Sequence, residues 1–491
     1  MTRLTATFAT AAALTFAGVG PVAAVPLHQA AISAAVCSGV ASSPRDLVDV
    51  DGTLFFTAED GVHGRELWKS DGTAAGTVRL TDIAADDEGY FDSIHSPTAV
   101  GDKLFFTTDD GVHGRELWAS DGTRRGTVMV RDINRGRRGD YPSYLTAAGG
   151  RLFFTVDDGV HGEELWRSDG TRRGTVLVKD VVPGEKDGLT YEVLLAAVGN
   201  ELYFKGHDRA HGSELWRSNG TKAGTVRVKD IRPGRKSSLG YSEQLTVVGH
   251  TVYLTADDGV HGDELWRSDG TKAGTVLVED VDPGAGAARP GELTDAGGEL
   301  FFMADDGVHG RELWSSDGTR PGTALVKDLD PEDAPYSTAR YLVAAAGTLF
   351  FEATDDVHGH ELWTSDGTES GTVVVKDINP GVYSSDPSGY NGRAESPAAV
   401  GDTLFFTARD GIHGRELWRS DGTEAGTALV KDIYPKTPYG GPAWLAAVAD
   451  RLFFAADDGV HGYELWTSDG TEEGTTMVRD INAACSEGAG A

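Results

Sequence analysis

The chain has 491 residues and is strongly acidic, with 76 Asp and Glu against 44 Lys and Arg and a formal net charge of −32. This charge repels phosphate backbones and anionic lipid, so the composition argues against a nucleic-acid partner. The chain has two cysteines, Cys37 and Cys485, and none lies between them.

The N-terminus predicts an export signal at residues 1–24. Met1-Thr-Arg precedes an Ala-, Leu-, Phe- and Val-rich stretch that runs to Val25, with small residues at Val22 and Ala24 where a signal peptidase could cut. The stretch is too rich in Ala, Thr and Gly for a membrane span, and no later segment approaches the required length. We therefore expect a secreted, extracellular protein. A lipoprotein anchored at Cys37, within the N-terminal segment 25–42, is the alternative.

Residues 43–483 repeat one phrase, Glu-Leu-Trp-x-Ser-Asp-Gly-Thr, nine times. Successive copies lie 48 to 55 residues apart, which is about the length of one four-stranded propeller blade. Asn219 replaces the Asp of the fourth copy. The tryptophans of the phrase are Trp68, Trp118, Trp166, Trp216, Trp266, Trp314, Trp363, Trp418 and Trp466.

Each copy predicts four short strands. In the third copy these begin near Tyr144, Arg151, Glu164 and Val176, separated by a Gly-Gly turn, a loop and an Asp-Gly-Thr turn. We predict an all-β fold: a β-propeller of four-stranded antiparallel blades in a single nine-bladed ring. Eight blades plus an extra unit, or two smaller rings, are the alternatives. No blade needs strands from both chain ends.

The phrase resembles the ELWxxDGT repeat of bacterial secreted and surface proteins, and the resemblance covers nearly all of the mature chain. The Gly-Gly turn between the first two strands also resembles a kelch blade. The resemblance implies export and repetition, and it implies no reaction.

The two cysteines flank the repeats, and Cys485 lies in the C-terminal tail 484–491. Because a closed ring makes its ends neighbours, and an exported protein meets an oxidising compartment, we predict a Cys37–Cys485 disulfide. Two unpaired thiols are the alternative.

The repeated residues have structural explanations. Trp and Leu should pack between blades, and the Asp of Asp-Gly-Thr should accept turn amides. Nine histidines, from His63 to His461, stand three residues before the motif Glu. We expect each to form a His–Glu or His–backbone hydrogen bond, with a transition-metal site as the alternative. No cofactor is expected, although calcium could bind the Asp-Asp-Gly loops such as Asp109-Asp110-Gly111.

The links between repeats vary and are rich in aromatic residues, which suit glycans or protein partners. Packing between adjacent blades is the alternative role for these residues. Basic islands such as Arg232, Arg235 and Lys236 could recognise an anionic sugar or be solvated surface. The candidate ligand-binding residues are Tyr90, Tyr141, Tyr144, Tyr191, Tyr241, Tyr336, Tyr383, Tyr390, Tyr439 and Trp444.

Three functions are compatible with this pattern. The first is a secreted, non-enzymatic and monomeric propeller that binds a glycan or an extracellular protein through its links. The second is an exported polysaccharide hydrolase or lyase with its site at the channel mouth. The third is an adhesive surface component that uses its equivalent sites multivalently. No nucleophile elbow or phosphate loop is present, and carboxylate pairs are too common to mark a site.

Overall fold

A computed structural model of the chain describes residues 41–83, 94–133, 141–189, 194–240, 244–329, 339–355, 357–387, 396–435 and 441–482. The chain divides into two compact units, Met1–Cys37 and Ser38–Ala491. All described residues belong to the second unit. The predicted signal segment, Cys37 and Cys485 lie outside the described residues.

The second unit consists of nine four-stranded antiparallel sheets, each made of four consecutive strands. The innermost strands are Arg45–Val50, His95–Val100, Ser143–Ala148, Leu195–Val198, Leu245–Val248, Gly291–Ala296, Ala339–Ala345, Ala398–Val400 and Ala443–Val448. The second strands are Thr53–Glu59, Lys103–Asp109, Arg151–Asp157, Glu201–Asp208, Thr251–Asp257, Glu299–Asp305, Thr348–Ala353, Thr403–Arg409 and Arg451–Asp457.

The third strand of each sheet carries the Glu-Leu-Trp motif. These strands are Arg65–Ser70, Arg115–Ser120, Glu163–Ser168, Gly212–Ser218, Asp263–Ser268, Arg311–Ser316, Glu361–Ser365, Arg415–Ser420 and Tyr463–Ser468. The outermost strands are Val78–Arg79, Val128–Arg131, Val176–Lys179, Val226–Arg227, Val276–Glu279, Thr323–Lys327, Val373–Lys376, Ala428–Lys431 and Thr476–Arg479. A 3₁₀ turn, Arg320–Gly322, is the only helical element among the described residues.

The sheets form one closed ring of nine blades. Each innermost strand contacts the next, and the first contacts the last. The predicted nine-bladed propeller is therefore confirmed, and both alternatives are wrong. The prediction that no blade borrows a strand is confirmed as well.

Alternation along the strands explains why the blades stack. In blade 3, Phe154 and Trp166 pair across the second and third strands and pack toward blade 2. Phe153 and Leu165 point the other way and pack against blade 4. Since both faces of a blade are covered, its second strand reads as a continuous apolar run rather than an alternating one. Nine such clusters fill the nine interfaces.

A cation at the end of the outermost strand ties each of seven blades to the next. Lys179 Nζ donates to the carbonyl of Thr225 at 2.7 Å and lies 5.2 Å from the ring centroid of Trp216. At the junction of blades 9 and 1, Arg479 donates to the carbonyl of Thr77 at 2.8 Å. The junction thus repeats a contact found within the ring.

Residues at the start of the described chain complete blade 9. The Ser42 amide and hydroxyl donate to the two carboxylate oxygens of Glu464 at 3.0 and 2.6 Å, and the Ser43 amide donates to the Tyr463 carbonyl at 2.9 Å. Inside the ring, the link serine Ser385 donates to Glu361 in the same way at 2.7 Å. Ser42, which the sequence places in a plain N-terminal segment, therefore acts as the link of the last blade.

Candidate functional site

The two ends of each blade present different loops. Because the strands are antiparallel, the His-containing loops and the interblade links share one face of the ring, which we call the link face. The close approach of loop and link supports this: a Cβ added at Gly359 would lie 2.7 Å from the Tyr383 backbone, and one added at Gly212 would lie 2.7 Å from that of Lys236. The Asp-Gly-Thr turns occupy the opposite face.

The nine histidines are loop-ordering residues, but their partner is not the motif Glu. Each Nδ1 lies 2.6 to 2.9 Å from a carboxylate oxygen of the Asp three residues earlier, as in the His413–Asp410 pair. The Asp also accepts hydrogen bonds from two backbone amides, which in this example are those of Ile412 and His413. The predicted His–Glu bond is therefore wrong, because the Glu side chain turns into the blade.

Electrostatics stabilise these pairs. Burial raises the pKa of Asp410, but hydrogen bonds from the His413 amide and ring and from Ile412 outweigh it, so this pKa is lowered. The hydrogen bond and charge of Asp410 raise the pKa of His413. The pair carries an ion-pair interaction whenever His413 is protonated.

The motif glutamates organise the blade end. All nine accept the amide of the residue seventeen positions later, at 2.8 to 3.1 Å. Burial raises the pKa of Glu164 to about 8 and that of Glu361 to about 7, against the effect of the amides that they accept. Each motif carboxylate therefore holds the backbone that directly follows the outermost strand of its blade.

The Asp-Gly-Thr turns have a structural role, as predicted. The Asp71 carboxylate accepts the Thr73 amide at 2.9 Å and its hydroxyl at 2.7 Å, and Gly72 has a φ of +87°. Asn219 makes the same two bonds to Thr221. The turn therefore needs the side-chain oxygen and not the charge.

The loop carboxylates are engaged with the backbone. Asp109 accepts the Gly111 amide at 2.8 Å, and Asp110 accepts the amides of Val112 and His113. Across the described ranges, no group of three or more His, Cys, Asp or Glu is arranged to hold a metal ion.

Exposed apolar side chains collect on the link face. The residue before each loop His is Val or Ile in eight repeats and Ala210 in the fourth. The eight are between 59 and 79% exposed: Val62, Val112, Val160, Val260, Val308, Val357, Ile412 and Val460. The sequence analysis missed this ring of side chains, although the sequence shows its signal: an aliphatic residue directly before the loop His, preceded by Gly in seven of the eight repeats.

Four of the predicted aromatic residues are described, and all lie on this face. Tyr383 is 69% exposed, and Tyr141, Tyr144 and Trp444 are 45 to 47% exposed. Arg115 of blade 2 lies 4.4 Å from the ring centroid of Tyr141, which is in the link between blades 2 and 3, so Tyr141 is partly engaged with blade 2. Tyr90, Tyr191, Tyr241, Tyr336, Tyr390 and Tyr439 lie outside the described residues.

Tyr144 and Trp444 occupy equivalent places at the start of the innermost strand, together with Tyr341. Their φ angles are +53°, +59° and +57°, each within a register irregularity of that strand. Such a bulge re-aims a side chain that would otherwise face a neighbouring blade. Non-glycine residues in this region cost about 1–3 kcal/mol and persist where the surroundings impose them. All three aromatic residues therefore lie at the link-face end of an innermost strand, and Arg340 lies 5.4 Å from the ring centroid of Tyr341.

Blade 7 departs from the repeat. Glu352 replaces the Thr found at this place in five other blades, and its side chain is 1% exposed. Arg340 Nε donates to it at 2.7 Å, and His360 Nδ1 lies 3.5 Å from the same oxygen. Tyr341 adjoins these three residues. The group breaks the symmetry of the ring, and a comparison of the repeats in the sequence could have found it.

The residues of the predicted basic island have different surroundings. Arg232 pairs with Asp257 and is therefore part of the blade structure, whereas Arg235 and Lys236 are exposed.

No described helix is long and apolar enough to span a membrane. No family model matches the chain, and no curated protein matches it either.

Solved structures that resemble the chain include two enzymes and the β-propeller domain of a third. A puromycin hydrolase is 15% identical with a TM-score of 0.35, covering 79% of this chain and 60% of that chain. A prolyl endopeptidase is 11% identical with a TM-score of 0.40, covering 76% and 55%. The β-propeller domain of the Trilobed protease from Pyrococcus furiosus is 9% identical with a TM-score of 0.38, covering 89% and 99%. The chain thus spans 60% of the hydrolase's length, and likeness at this level carries no argument about function.

Proposed function

We propose that the chain is a secreted, non-enzymatic propeller that binds an extracellular ligand, glycan or protein, through its link face. One observation carries the proposal: every described large apolar side chain that is more than half exposed lies on this face. Clustered exposed apolar groups mark interaction surfaces, whereas scattered ones do not. Export is supported by the N-terminal segment and by the resemblance to ELWxxDGT repeat proteins.

The channel mouth supplies the groups that a glycan needs. Tyr144 and Trp444, both about half exposed, offer aromatic faces to sugar rings, and Tyr341, Asp46 and Glu292 occupy the equivalent strand position in blades 7, 1 and 6. Glu292 already accepts the Leu342 amide at 3.2 Å, so its carboxylate is held in place. Several side chains around one axis would engage a repeating polymer simultaneously.

Trp444 gives a direct test. Eight of the nine motif tryptophans are no more than 9% exposed, and the ninth, Trp118, is partly buried. Trp444, the one tryptophan outside the motif, is 47% exposed. Iodide should therefore quench Trp444 selectively. A cello-, xylo- or chito-oligosaccharide that binds at the mouth should protect it from iodide, and Trp444→Phe should remove the protected signal. Saturable binding with unchanged iodide quenching would place the ligand elsewhere and contradict the proposal.

A second function, a polysaccharide hydrolase or lyase at the channel mouth, is favoured by the Glu352–His360 pair beside Tyr341. Hydrolysis and elimination both require a positioned acid and base. Release of reducing ends or unsaturated products from a polysaccharide, lost in Glu352→Gln, would support it. Turnover that is unchanged in Glu352→Gln would exclude this pair as the site.

A further inference from the structure

A groove lies on the outer rim of blade 1, away from the link face. Its volume is about 590 Å³. Blades 1, 2 and 9 all contribute to its walls. The lining residues are Trp68, Lys69, Val78, Arg79, Leu80, Gly122, Thr123, Arg124 and Arg479.

The groove coincides with a local departure from the repeat. In seven blades a Lys or Arg ends the outermost strand and reaches the next blade, whereas blade 1 has Thr81 and blade 5 has Glu279 at this position. The Thr81 hydroxyl turns inward, accepting the Leu67 amide at 2.8 Å and donating to Glu66 at 2.5 Å. No cation therefore crosses from this strand to blade 2. Consistent with this, Trp118 is the only motif tryptophan that is not fully buried.

The groove is positively charged on a protein of net charge −32. Arg79 has carboxylates nearby, with Asp82 at 3.6 Å and Asp60 at 3.9 Å. Lys69, Arg124 and Arg479, by contrast, form no ion pair within the part of the chain that the structure describes.

Backbone bonds hold the two arginines while leaving donors available. Arg124 Nε donates to the Arg79 carbonyl at 3.2 Å, and Arg479 Nη1 donates to the Thr77 carbonyl at 2.8 Å. Each guanidinium carries five N–H groups, so both retain several for an oxyanion. Arg124 and Arg479 are exposed.

We propose that this rim groove binds an acidic saccharide through its carboxylate or sulfate groups. Arg124, Arg479 and Lys69 contact the anion, while Trp68, Val78 and Leu80 supply an apolar wall for the sugar ring. The volume lies within the range of about 300–1,000 Å³ that is typical of small-ligand sites. The proposal does not depend on ligand binding at the link face.

The test is calorimetric titration of the full chain with four probes: a heparin-derived tetrasaccharide, trigalacturonate, neutral maltotriose and inorganic sulfate. We expect the two acidic saccharides, or one of them, to bind at a single site and maltotriose not to bind. Arg124→Ala should weaken binding by about tenfold or more, as expected for loss of a charge-assisted contact. Lys69→Gln should weaken it in the same direction.

Arg172→Ala is the matched control, because Arg172 holds the same place in the blade 3 turn, beside a blade that retains its cation Arg131. This control should bind like the unmodified chain. Equal losses in Arg124→Ala and Arg172→Ala would show diffuse electrostatics and overturn the proposal. Sulfate that binds as tightly as the saccharides would overturn the sugar-specific part, and no binding by either acidic saccharide would overturn all of it.

Discussion

The hydrogen bonds between Ser42 and Glu464 hold the start of the described chain against blade 9, and their contribution to stability can be measured. Ser42→Ala removes the 2.6 Å bond from the Ser42 hydroxyl to the Glu464 carboxylate, and both residues are fully buried. A hydrogen bond to a charged group contributes about 1.5–3 kcal/mol, so we expect a loss of that size in the free energy of unfolding. The backbone contacts of Ser42 and Ser43 would remain.

Ser385→Ala is the matched control, since it removes the equivalent 2.7 Å bond to Glu361 inside the ring. Urea unfolding, followed by tryptophan fluorescence above pH 8, compares the two variants with both glutamates mainly ionised. Equal losses would show that the chain start is seated in blade 9 as a link is seated in any other blade. A loss in Ser385→Ala with no loss in Ser42→Ala would refute this account of closure.

Three further predictions concern packing, pH and the cysteines. Trp266→Ala should destabilise by about 3–5 kcal/mol, because the 5% exposed indole fills the interface between blades 4 and 5; an unchanged melting temperature would remove it from the core. The raised pKa values of Glu361 and Glu416 make protonation of these carboxylates favour the folded state, so stability should fall as pH rises from 4.5 through about 7. For Glu361 this amounts to roughly 3 kcal/mol, and Glu361→Gln should flatten the pH dependence of the melting temperature by a corresponding amount; parallel profiles would contradict it. Finally, peptide mapping of the unreduced protein, produced in an oxidising compartment, should yield a linked Cys37–Cys485 peptide, and two free thiols would exclude the disulfide.

The blades could be predicted from the sequence because the residues that recur in every repeat are the ones that pack between blades. The period gives the number of blades, and alternation at Leu165 and Trp166 gives the two interfaces. The turn chemistry of Asp71 and Asn219 was also predictable, because those side chains serve amides only two residues away.

The errors and omissions arise where contacts are not local in sequence. His413 lies equally close in sequence to Asp410 and Glu416, and only the inward orientation of the Glu selects the Asp. The pairing of Ser42 with Glu464 spans nearly the whole chain. The positive φ of Tyr341 depends on a β-bulge in the innermost strand, and no turn-forming residue in the sequence predicts that bulge.

The proposed function rests on the link face, and a glycan array tests it most directly. The purified chain would be applied with calcium and with chelator, beside a Tyr144→Ala/Trp444→Ala variant and an Arg173→Ala control on the opposite face. We predict specific glycan binding that is lost in the link-face variant and retained in the control. Binding that survives in the link-face variant, or no binding by the unmodified protein in either condition, would contradict a glycan site at the channel mouth.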